Sequence, residues 1–263
     1  MPDEATADEL TERARAVWGL GDYGERVAGR LQAAADALVD AAGVQAGQDV
    51  LDVAAGTGNV AAAAAARGAR VTATDLSPRM VELGRARTAG LEVQWSEADA
   101  QALPFEDGRF ARALSVFGAM FAPRQQRTAA ELLRVVEPGG IAGMTAWVPE
   151  GVQADAAAVI TAQFPGAPTM MNDWGRPEVA RAHFEAAGAS EVVIEPHALH
   201  WEFASPQEWL DFMENGPGPL VAARAALGEE KWAGVREQLL GCLPVADGPF
   251  ALEPPYLIIL ARA

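Results

Sequence analysis

The chain has 263 residues, of which 50% are hydrophobic and 21% charged, a balance typical of soluble globular proteins. Its 20 Lys and Arg side chains stand against 36 Asp and Glu, which gives a formal net charge of −16. A surface of this sign repels phosphate groups and anionic lipid headgroups, so we expect neither nucleic acid nor a membrane as a partner.

The cysteine content and the N-terminal sequence indicate in which cellular compartment the protein is found. One cysteine, Cys242, excludes an internal disulfide and any multi-cysteine metal site, and we expect no metal. The first residues are acidic and lack the apolar stretch of a secretory signal. The apolar run at 60–66 is far shorter than the ~20 residues that span a membrane. The sequence therefore predicts a cytoplasmic protein.

Residues 1–44 predict an N-terminal helical region that forms part of a cap. Within 8–43, apolar side chains recur in two stripes at helical spacing, which predicts two helices. Residues 18–24 lie between them and combine glycines with aromatic side chains, which predicts a turn. We expect Trp18, at the start of this turn, to be a packing residue.

Residues 45–148 alternate between short apolar segments and helical ones. Strands are predicted at 50–54, 70–74, 91–95, 110–116 and 141–147, and helices at 59–67, 77–88 and 126–136. Strands that alternate with helices pair in parallel through crossover connections. The segment therefore predicts an α/β fold with a Rossmann-like, doubly wound and mostly parallel sheet.

The remainder completes this sheet and adds to the cap. Residues 149–204 predict helices at 152–163 and 177–187, a loop at 165–175 and a strand at 191–203. Residues 205–250 predict a helical insert over the sheet edge, with a break at 216–219. Residues 251–263 predict a last, antiparallel strand at 256–261.

The segment VLDVAAGTGN at 50–59 carries the main chemical signal. A strand leads through small residues into a helix, so a ligand can approach the backbone amides at the helix N-terminus. This pattern alone is ambiguous. Gly56, Gly58 and Ala61 also fit the dinucleotide fingerprint, with Asp75 at the interval of about 20 residues expected of a ribose-binding carboxylate.

Two further carboxylates distinguish the interpretations. Asp52 lies just before the turn, where it would repel a pyrophosphate and attract an ammonium group. Asp99 follows the third predicted strand, at the sheet edge where open α/β sheets bind their ligands. A ligand that carries an ammonium group therefore fits better than a dinucleotide.

In these segments the chain resembles the class I S-adenosylmethionine-dependent methyltransferases, specifically their bacterial small-molecule branch. The matching stretches are VLDVAAGTGN at 50–59, ATDLSPRM at 73–80, EADAQALPF at 97–105 and ELLRVVEPGG at 131–140. Their order and spacing cover about 45–147, more than a third of the chain. The resemblance implies S-adenosylmethionine as cofactor and S-adenosylhomocysteine as product.

The resemblance also implies residues for the methionine and ribose parts of the cofactor. Backbone contacts to the methionine part would come from the glycine turn: Ala54, Ala55, Gly56, Thr57 and Gly58. Asp52 would act near the ammonium, and Asp75 would accept both ribose hydroxyls. Ala54 stands where the family usually has glycine, a departure that costs little if the residue keeps a negative φ.

For the adenine and the sulfonium, the resemblance implies a second set of contacts. Leu76 and Met80 would pack on the adenine, Asp99 would accept from its exocyclic amine, and the Ala100 amide would bond a ring nitrogen. The residues beneath the sulfonium would be Ser115, Val116 and Phe117. Tyr23, by analogy with N-terminal aromatic residues of similar enzymes, would close over the cofactor.

The acceptor side has candidates that follow the fourth and fifth strands. These candidate substrate contacts are Met120, Phe121, Trp147, Asp173 and Trp174. For Met120, Phe121 and Trp174, capping or anchoring a neighbouring helix is an equal alternative.

A general base is needed only if the nucleophile arrives protonated. The candidates for that role are His183, His197 and His200. His183 shares a helix stripe with Val179 and Ala186, which favours a packing role for it.

We therefore expect methyl transfer to an oxygen, nitrogen or carbon atom of a small molecule, such as those of secondary metabolism. The Trp, Met, Phe and Pro content of the cap favours an apolar or aromatic acceptor. Two alternatives remain: a protein that keeps the cofactor pocket without methyl transfer and, less favoured, an NAD-dependent oxidoreductase.

Overall fold

The computed structural model describes residues 4–165 and 173–263. The strands are β1 (Asp49–Val53), β2 (Arg70–Asp75), β3 (Val93–Glu97), β4 (Phe110–Val116), β5 (Val136–Trp147), β6 (Glu191–Ala198), β7 (Trp201–Phe203), β8 (Phe250–Leu252) and β9 (Pro255–Arg262). The helices are α1 (Glu4–Val17), α2 (Ala28–Ala41), α3 (Asn59–Ala66), α4 (Pro78–Arg87), α5 (Gln125–Arg134), α6 (Val152–Ala162), α7 (Pro177–Ala186), α8 (Pro206–Asn215) and α9 (Gly218–Leu240). A π-helical turn covers Tyr23–Val27, and 3₁₀ turns cover Ala119–Phe121 and Asp173–Gly175.

Within the described residues, seven strands form the main sheet in the order β3-β2-β1-β4-β5-β9-β6. The first five are parallel, and β9 runs antiparallel to both β5 and β6. Central strands such as β1 are buried on both faces, which explains why Val50 and Leu51 read as a continuous apolar run. The expected Rossmann-like, mostly parallel sheet with an antiparallel last strand is confirmed.

Parallel pairing brings the carboxyl ends of β1, β2, β3 and β4 to one edge of the sheet. Val53 pairs with Thr74 next to the end of β2, and Asp75 pairs with Glu97 at the end of β3. Residues that follow these strand ends in the sequence therefore meet in space, although they lie tens of residues apart.

Three predicted strands are wrong in their limits. The fifth begins at Val136 instead of 141, where Val136 already pairs with Phe110 of β4. The third strand is Val93–Glu97 instead of 91–95, because the chain turns at Gly90 (φ +88°) and Leu91 remains exposed. The strand predicted at 191–203 ends at Ala198. Trp201–Phe203 instead pairs with β8 in a separate two-stranded sheet, where Trp201 and Phe203 pack against Phe212 of α8.

The break predicted at 216–219 is confirmed, since α8 ends at Asn215 and α9 begins at Gly218. Most of the loop predicted at 165–175 lies outside the described residues, which resume with the 3₁₀ turn at Asp173. No helix among the described residues combines the length and apolar character needed to cross a membrane.

The helical insert docks on the N-terminal segment. The Asp22 amide donates to the backbone carbonyls of Asn215 and Gly216, and the Gly218 amide donates to the Tyr23 hydroxyl over 2.8 Å. A Cβ on Gly21, whose φ is +80°, would lie 2.2 Å from the Gly216 carbonyl oxygen, so this approach requires glycine. The contact joins the turn after α1 to the junction of α8 and α9.

Candidate functional site

A cavity of about 1000 Å³, measured to its open mouth, lies at the carboxyl edge of the sheet. Its floor comes from the ends of β1 to β4, and its cover comes from α1, the π-helical turn and α2. Most of the lining is apolar. The predicted cofactor residues that line it are Tyr23, Asp52, Ala54, Ala55, Gly56, Thr57, Asp75, Leu76, Met80, Asp99, Ala100, Val116 and Phe117.

Gly58 supports the glycine turn and is not among the described residues that line the cavity. Its φ is +85°, and its amide donates to the Ala55 carbonyl as α3 begins. A Cβ at this position would lie 2.8 Å from the Trp95 ring. Glycine is therefore needed here for backbone conformation and for packing on Trp95.

The condition under which alanine costs little at position 54 is not met, because the φ of Ala54 is positive, at +51°. Phe117, at the end of the neighbouring strand β4, has a φ of +50°. Left-handed backbone is strained for side chains with a Cβ and clusters at functional sites. The two strained residues meet through Gly118, where a Cβ would lie 2.1 Å from the Ala54 carbonyl oxygen.

Asp52 is buried at the cavity with one of its two oxygens satisfied. Its Oδ2 accepts from the Ala61 amide over 2.8 Å, at the start of α3. Its Oδ1 has no hydrogen-bond partner within the described part of the chain. Burial, reinforced by the nearby Asp75 carboxylate, raises the pKa of Asp52 to about 8. An ammonium group would supply the missing partner and favour the ionised form.

Asp75 is held by backbone amides at the end of β2. Its Oδ2 accepts from the Gly56 amide over 2.8 Å, and its Oδ1 accepts from the Ser77 amide over 2.9 Å. Burial raises the pKa of Asp75 to about 6 despite these bonds. A carboxylate oxygen can accept a second hydrogen bond, so both oxygens can still receive donors from a ligand.

Asp99 lies at the cavity beside a residue that the sequence analysis missed. Gln101 is 1% exposed, lines the cavity, and donates from its side-chain amide to both oxygens of Asp99 over 3.0 Å. The same amide donates to Thr11 of α1 over 3.2 Å. Gln101 stands within the EADAQALPF segment, but nothing local in the sequence reveals its contact with α1.

The N-terminal turn contributes aromatic side chains to the cover. Tyr23 lines the cavity, and burial raises the pKa of its phenol well above the usual range. Trp18 packs on Phe121, with its ring 4.7 Å from that of Phe121, and it also lines the cavity, which the sequence analysis did not predict. The signal for Trp18 was available in its position in the glycine-rich turn beside Tyr23.

Three residues predicted as ligand contacts near β4 and β5 are not among the described ones that line the cavity. Ser115 is fully buried, and its hydroxyl accepts from the Ala119 amide over 2.9 Å. Met120 is fully buried in the core. Trp147 stacks behind Phe117, with ring centroids 3.7 Å apart and planes 8° apart. Phe121 does line the cavity.

The loop candidates Asp173 and Trp174 also lie away from the described lining. Asp173 is exposed and pairs with Arg176 over 3.1 Å. Trp174 is fully buried, with its ring 5.7 Å from that of Phe184. Of the two roles open for Trp174, anchoring the following helix is the one that its burial supports.

No histidine is found among the described residues that line the cavity, so the three base candidates are not brought to it. His183 lies 3.1 Å from the Gln125 side-chain oxygen, and burial lowers its pKa. His197 stacks on Tyr256, and His200 is exposed between Glu202 and Glu253. Across the described residues, no cluster of three or more His, Cys, Asp or Glu could hold a metal.

Comparison with known sequences points to one chemistry. A family model described as a methyltransferase domain matches residues 50–140. An uncharacterised protein of Mycobacterium tuberculosis is 38% identical over 266 residues, which cover 96% of this chain and 95% of the relative. A demethylmenaquinone methyltransferase of Clavibacter sepedonicus is 47% identical over 96 residues, 36% of this chain and 39% of that enzyme.

Comparison with solved structures gives the same fold. A putative methyltransferase from Bacillus halodurans superposes with a TM-score of 0.61 at 23% identity, covering 88% of this chain and 98% of that one. The [4+2]-cyclase SpnF superposes with a TM-score of 0.56 at 22% identity, covering 98% and 93%. At these identities the likeness shows the fold alone.

Proposed function

Because the chain belongs to the class I S-adenosylmethionine-dependent methyltransferases, we propose that it methylates a small, apolar or aromatic metabolite at an oxygen, nitrogen or carbon atom. S-adenosylmethionine is the cofactor and S-adenosylhomocysteine the product. The observation that carries the proposal is a cavity with Asp52, Asp75 and Asp99 at the ends of β1 to β3, its acidic end, and with Phe117 at the end of the next strand, β4.

The groups at the acidic end fit the cofactor. The unpaired Oδ1 of Asp52 suits the ammonium, and the amide-held carboxylate of Asp75 suits two ribose hydroxyls. Asp99 would accept from the adenine amine, with Leu76 and Met80 packed on the ring. Ala54, Ala55, Gly56 and Thr57 would hold the methionine part through the backbone.

S-adenosylmethionine supplies a methyl group on an already activated sulfonium, so the chain mainly has to position the acceptor and exclude water. Val116 and Phe117 would lie beneath the sulfonium, where an aromatic face stabilises positive charge. Tyr23 and Trp18 would cover the cavity from the N-terminal turn. The Gly218 amide holds the Tyr23 hydroxyl from the cap, which fixes the ring over the cavity.

The acceptor class is inferred from the other wall of the cavity. Trp18, Phe117 and Phe121 are aromatic, and Val27 and Leu31 add aliphatic surface from the turn and α2. Such a surface suits an apolar or aromatic molecule and gives little to a charged one. The demethylmenaquinone methyltransferase supports methyl transfer, but its similarity covers too little of this chain to identify the acceptor.

A second candidate is a catalyst that keeps the cofactor cavity without methyl transfer. It is supported by the fold likeness to the [4+2]-cyclase SpnF together with the aromatic side chains that line the cavity. An NAD-dependent oxidoreductase is disfavoured, because the buried Asp52 at the glycine turn would repel a pyrophosphate.

Calorimetric titration and a transfer assay test these functions. We expect S-adenosylhomocysteine to bind and NADH to give no heat of binding; the reverse result would favour the oxidoreductase. Methyl-labelled S-adenosylmethionine would then be supplied with phenols, hydroquinones, aromatic amines and charged amino acids as acceptors. Label in an apolar or aromatic acceptor is the expected result. Cofactor binding without label transfer to any acceptor class would favour the second candidate.

A further inference from the structure

Helix α1 covers the cavity with very little apolar burial of its own. Thr11 and Ala14 line the cavity from above. Among the α1 side chains that the structure describes, residues 8–17, Thr11 is the only buried one, at 8% exposure. A helix with so few buried apolar contacts belongs to the part of a protein that opens at low cost. Its polar contacts therefore decide how firmly it closes the cavity.

Polar contacts tie α1 to the core. The Arg15 guanidinium donates to the Leu76 carbonyl over 3.2 Å and pairs with the half-exposed Glu97 over 3.6 Å. Asp8 pairs with Arg124 over 2.7 Å, but the Asp8 side chain is 72% exposed, so water screens the pair. The contact from Gln101 to the Thr11 hydroxyl joins two buried side chains, so water screens it least.

The orientation of the Gln101 amide is fixed by its neighbours. Its Oε1 accepts from the Arg124 backbone amide over 2.9 Å, which directs its Nε2 towards Asp99 and Thr11. The Gln101 backbone amide also donates to Asp99 Oδ1 over 2.9 Å. One side-chain amide therefore holds both the carboxylate at the cavity and the buried residue of α1.

We propose that Gln101 is a positioning residue that couples the closure of α1 to occupation of the cavity at Asp99. The proposal rests on the proposed function in one respect, that S-adenosylhomocysteine binds in this cavity. A ligand donor on Asp99 holds that carboxylate against the Gln101 amide, which presents its second N–H to Thr11. Closure of α1 in turn fixes Asp99 for the ligand, because coupling between two sites is reciprocal.

Hydrogen exchange of the α1 backbone amides, with and without S-adenosylhomocysteine, tests this coupling. In the wild type we expect saturating ligand to slow exchange at residues 8–17 by at least about tenfold. One buried hydrogen bond changes an opening equilibrium by about that factor. In Gln101→Leu and Thr11→Val the ligand should slow exchange less than about twofold, and affinity should fall about five- to tenfold. The double variant should bind no more weakly than Gln101→Leu, since the proposal couples Thr11 to Asp99 only through the Gln101 amide.

Asp8→Asn is the matched control, since it removes an exposed contact of α1 and leaves Gln101 untouched. Its affinity and ligand-dependent protection should match the wild type. Thr11→Val keeps the shape of the side chain, so it tests the coupling even if Gln101→Leu fails to fold. Additive effects of the two substitutions, or α1 exchange that ligand leaves unchanged in the wild type, would overturn the coupling alone. Failure of wild-type protein to bind S-adenosylhomocysteine would overturn the proposed function and the coupling with it.

Discussion

The two ends of the cavity are built in different ways. At the acidic end, backbone amides and carboxylates at the ends of β1, β2 and β3 make the surface, and Asp75 is fixed by amides at Gly56 and Ser77. At the other end, Phe117 lines the cavity and further rings pack behind it. We define this aromatic wall as Phe117, Trp147, Tyr256 and Trp201. There each ring is positioned by another ring, from Phe117 stacked on Trp147 to Trp147 against Trp201.

This difference separates binding from packing. The acidic end presents hydrogen-bonding groups whose positions follow from the strand ends, so changes there should act on ligand affinity. In the aromatic wall only Phe117 is among the described residues that line the cavity. Changes deeper in the wall should act on stability and leave cofactor affinity nearly unchanged.

Trp147→Ala should have the largest effect, a loss of about 3 kcal/mol in the free energy of unfolding, because a large ring that packs on three others is removed. Chemical denaturation measures this loss, and calorimetry should give S-adenosylhomocysteine affinity within about twofold of wild type if Phe117 shields the ligand. Leu91→Ala, at an exposed turn position, is the control and should cost less than about 0.5 kcal/mol. A Trp147 variant of normal stability with greatly weakened S-adenosylhomocysteine affinity would show that this ring acts in ligand binding instead of packing.

Asp75→Ala should have the next largest effect and the opposite pattern. We expect S-adenosylhomocysteine to bind about 100-fold more weakly, about 2.7 kcal/mol, because two ribose hydroxyls lose their acceptor. Asp107→Ala removes a surface carboxylate that pairs with Arg134, and it should leave the affinity unchanged. Equal affinity of Asp75→Ala and wild type would remove Asp75 from the ligand site.

The contrast also explains what the sequence could predict. Asp52 and Asp75 lie at the ends of β1 and β2, and Asp99 follows β3. Parallel pairing alone brings these strand ends together, so local pattern was enough to place the three carboxylates at the cavity. Trp18 and Gln101 were missed because their roles depend on where α1 and its turn lie over the sheet. Trp147 does end a strand at this edge, as the sequence predicts, but its ring stacks on Phe117 and is not among the described residues that line the cavity.

The pH dependence of ligand affinity tests the protonation of Asp52. In the free protein, burial raises its pKa to about 8, so the carboxyl is largely protonated at pH 6. An ammonium partner favours the ionised form, so binding should release a proton and affinity should rise about tenfold from pH 6 to pH 8. Calorimetry in buffers of different ionisation enthalpy measures the released proton. In Asp52→Asn this rise should disappear, and a persisting rise would assign the proton to another group.

The same shift has a consequence for stability without ligand. The folded pKa of Asp52 lies above the ordinary value of 3.8, so the folded state holds a proton that the unfolded chain has already released. Stability should therefore fall as pH rises from about 4 towards 8, then level off. Thermal unfolding at pH 5 and pH 8 checks this, and Asp52→Asn should reduce the fall. An Asp52→Asn variant with the same fall as wild type would contradict the assigned cause.

Ala54→Gly should give the smallest effect, and one of opposite sign. Ala54 has a left-handed backbone at the point where the acidic end meets the aromatic wall, and a Cβ there costs about 1–2 kcal/mol. Glycine removes that strain but enlarges the conformational freedom of the unfolded chain by about 0.4–1 kcal/mol. The net expectation is a gain of about 0.5–1 kcal/mol, or about 1–4 °C in Tm by calorimetric scanning. Ala55→Gly is the matched control, because Ala55 has no such strain to relieve and should lose stability instead. If both substitutions lower Tm, relief of backbone strain at Ala54 does not outweigh the loss of the alanine side chain. The alanine would then stabilise the close approach of Gly118 to the Ala54 carbonyl.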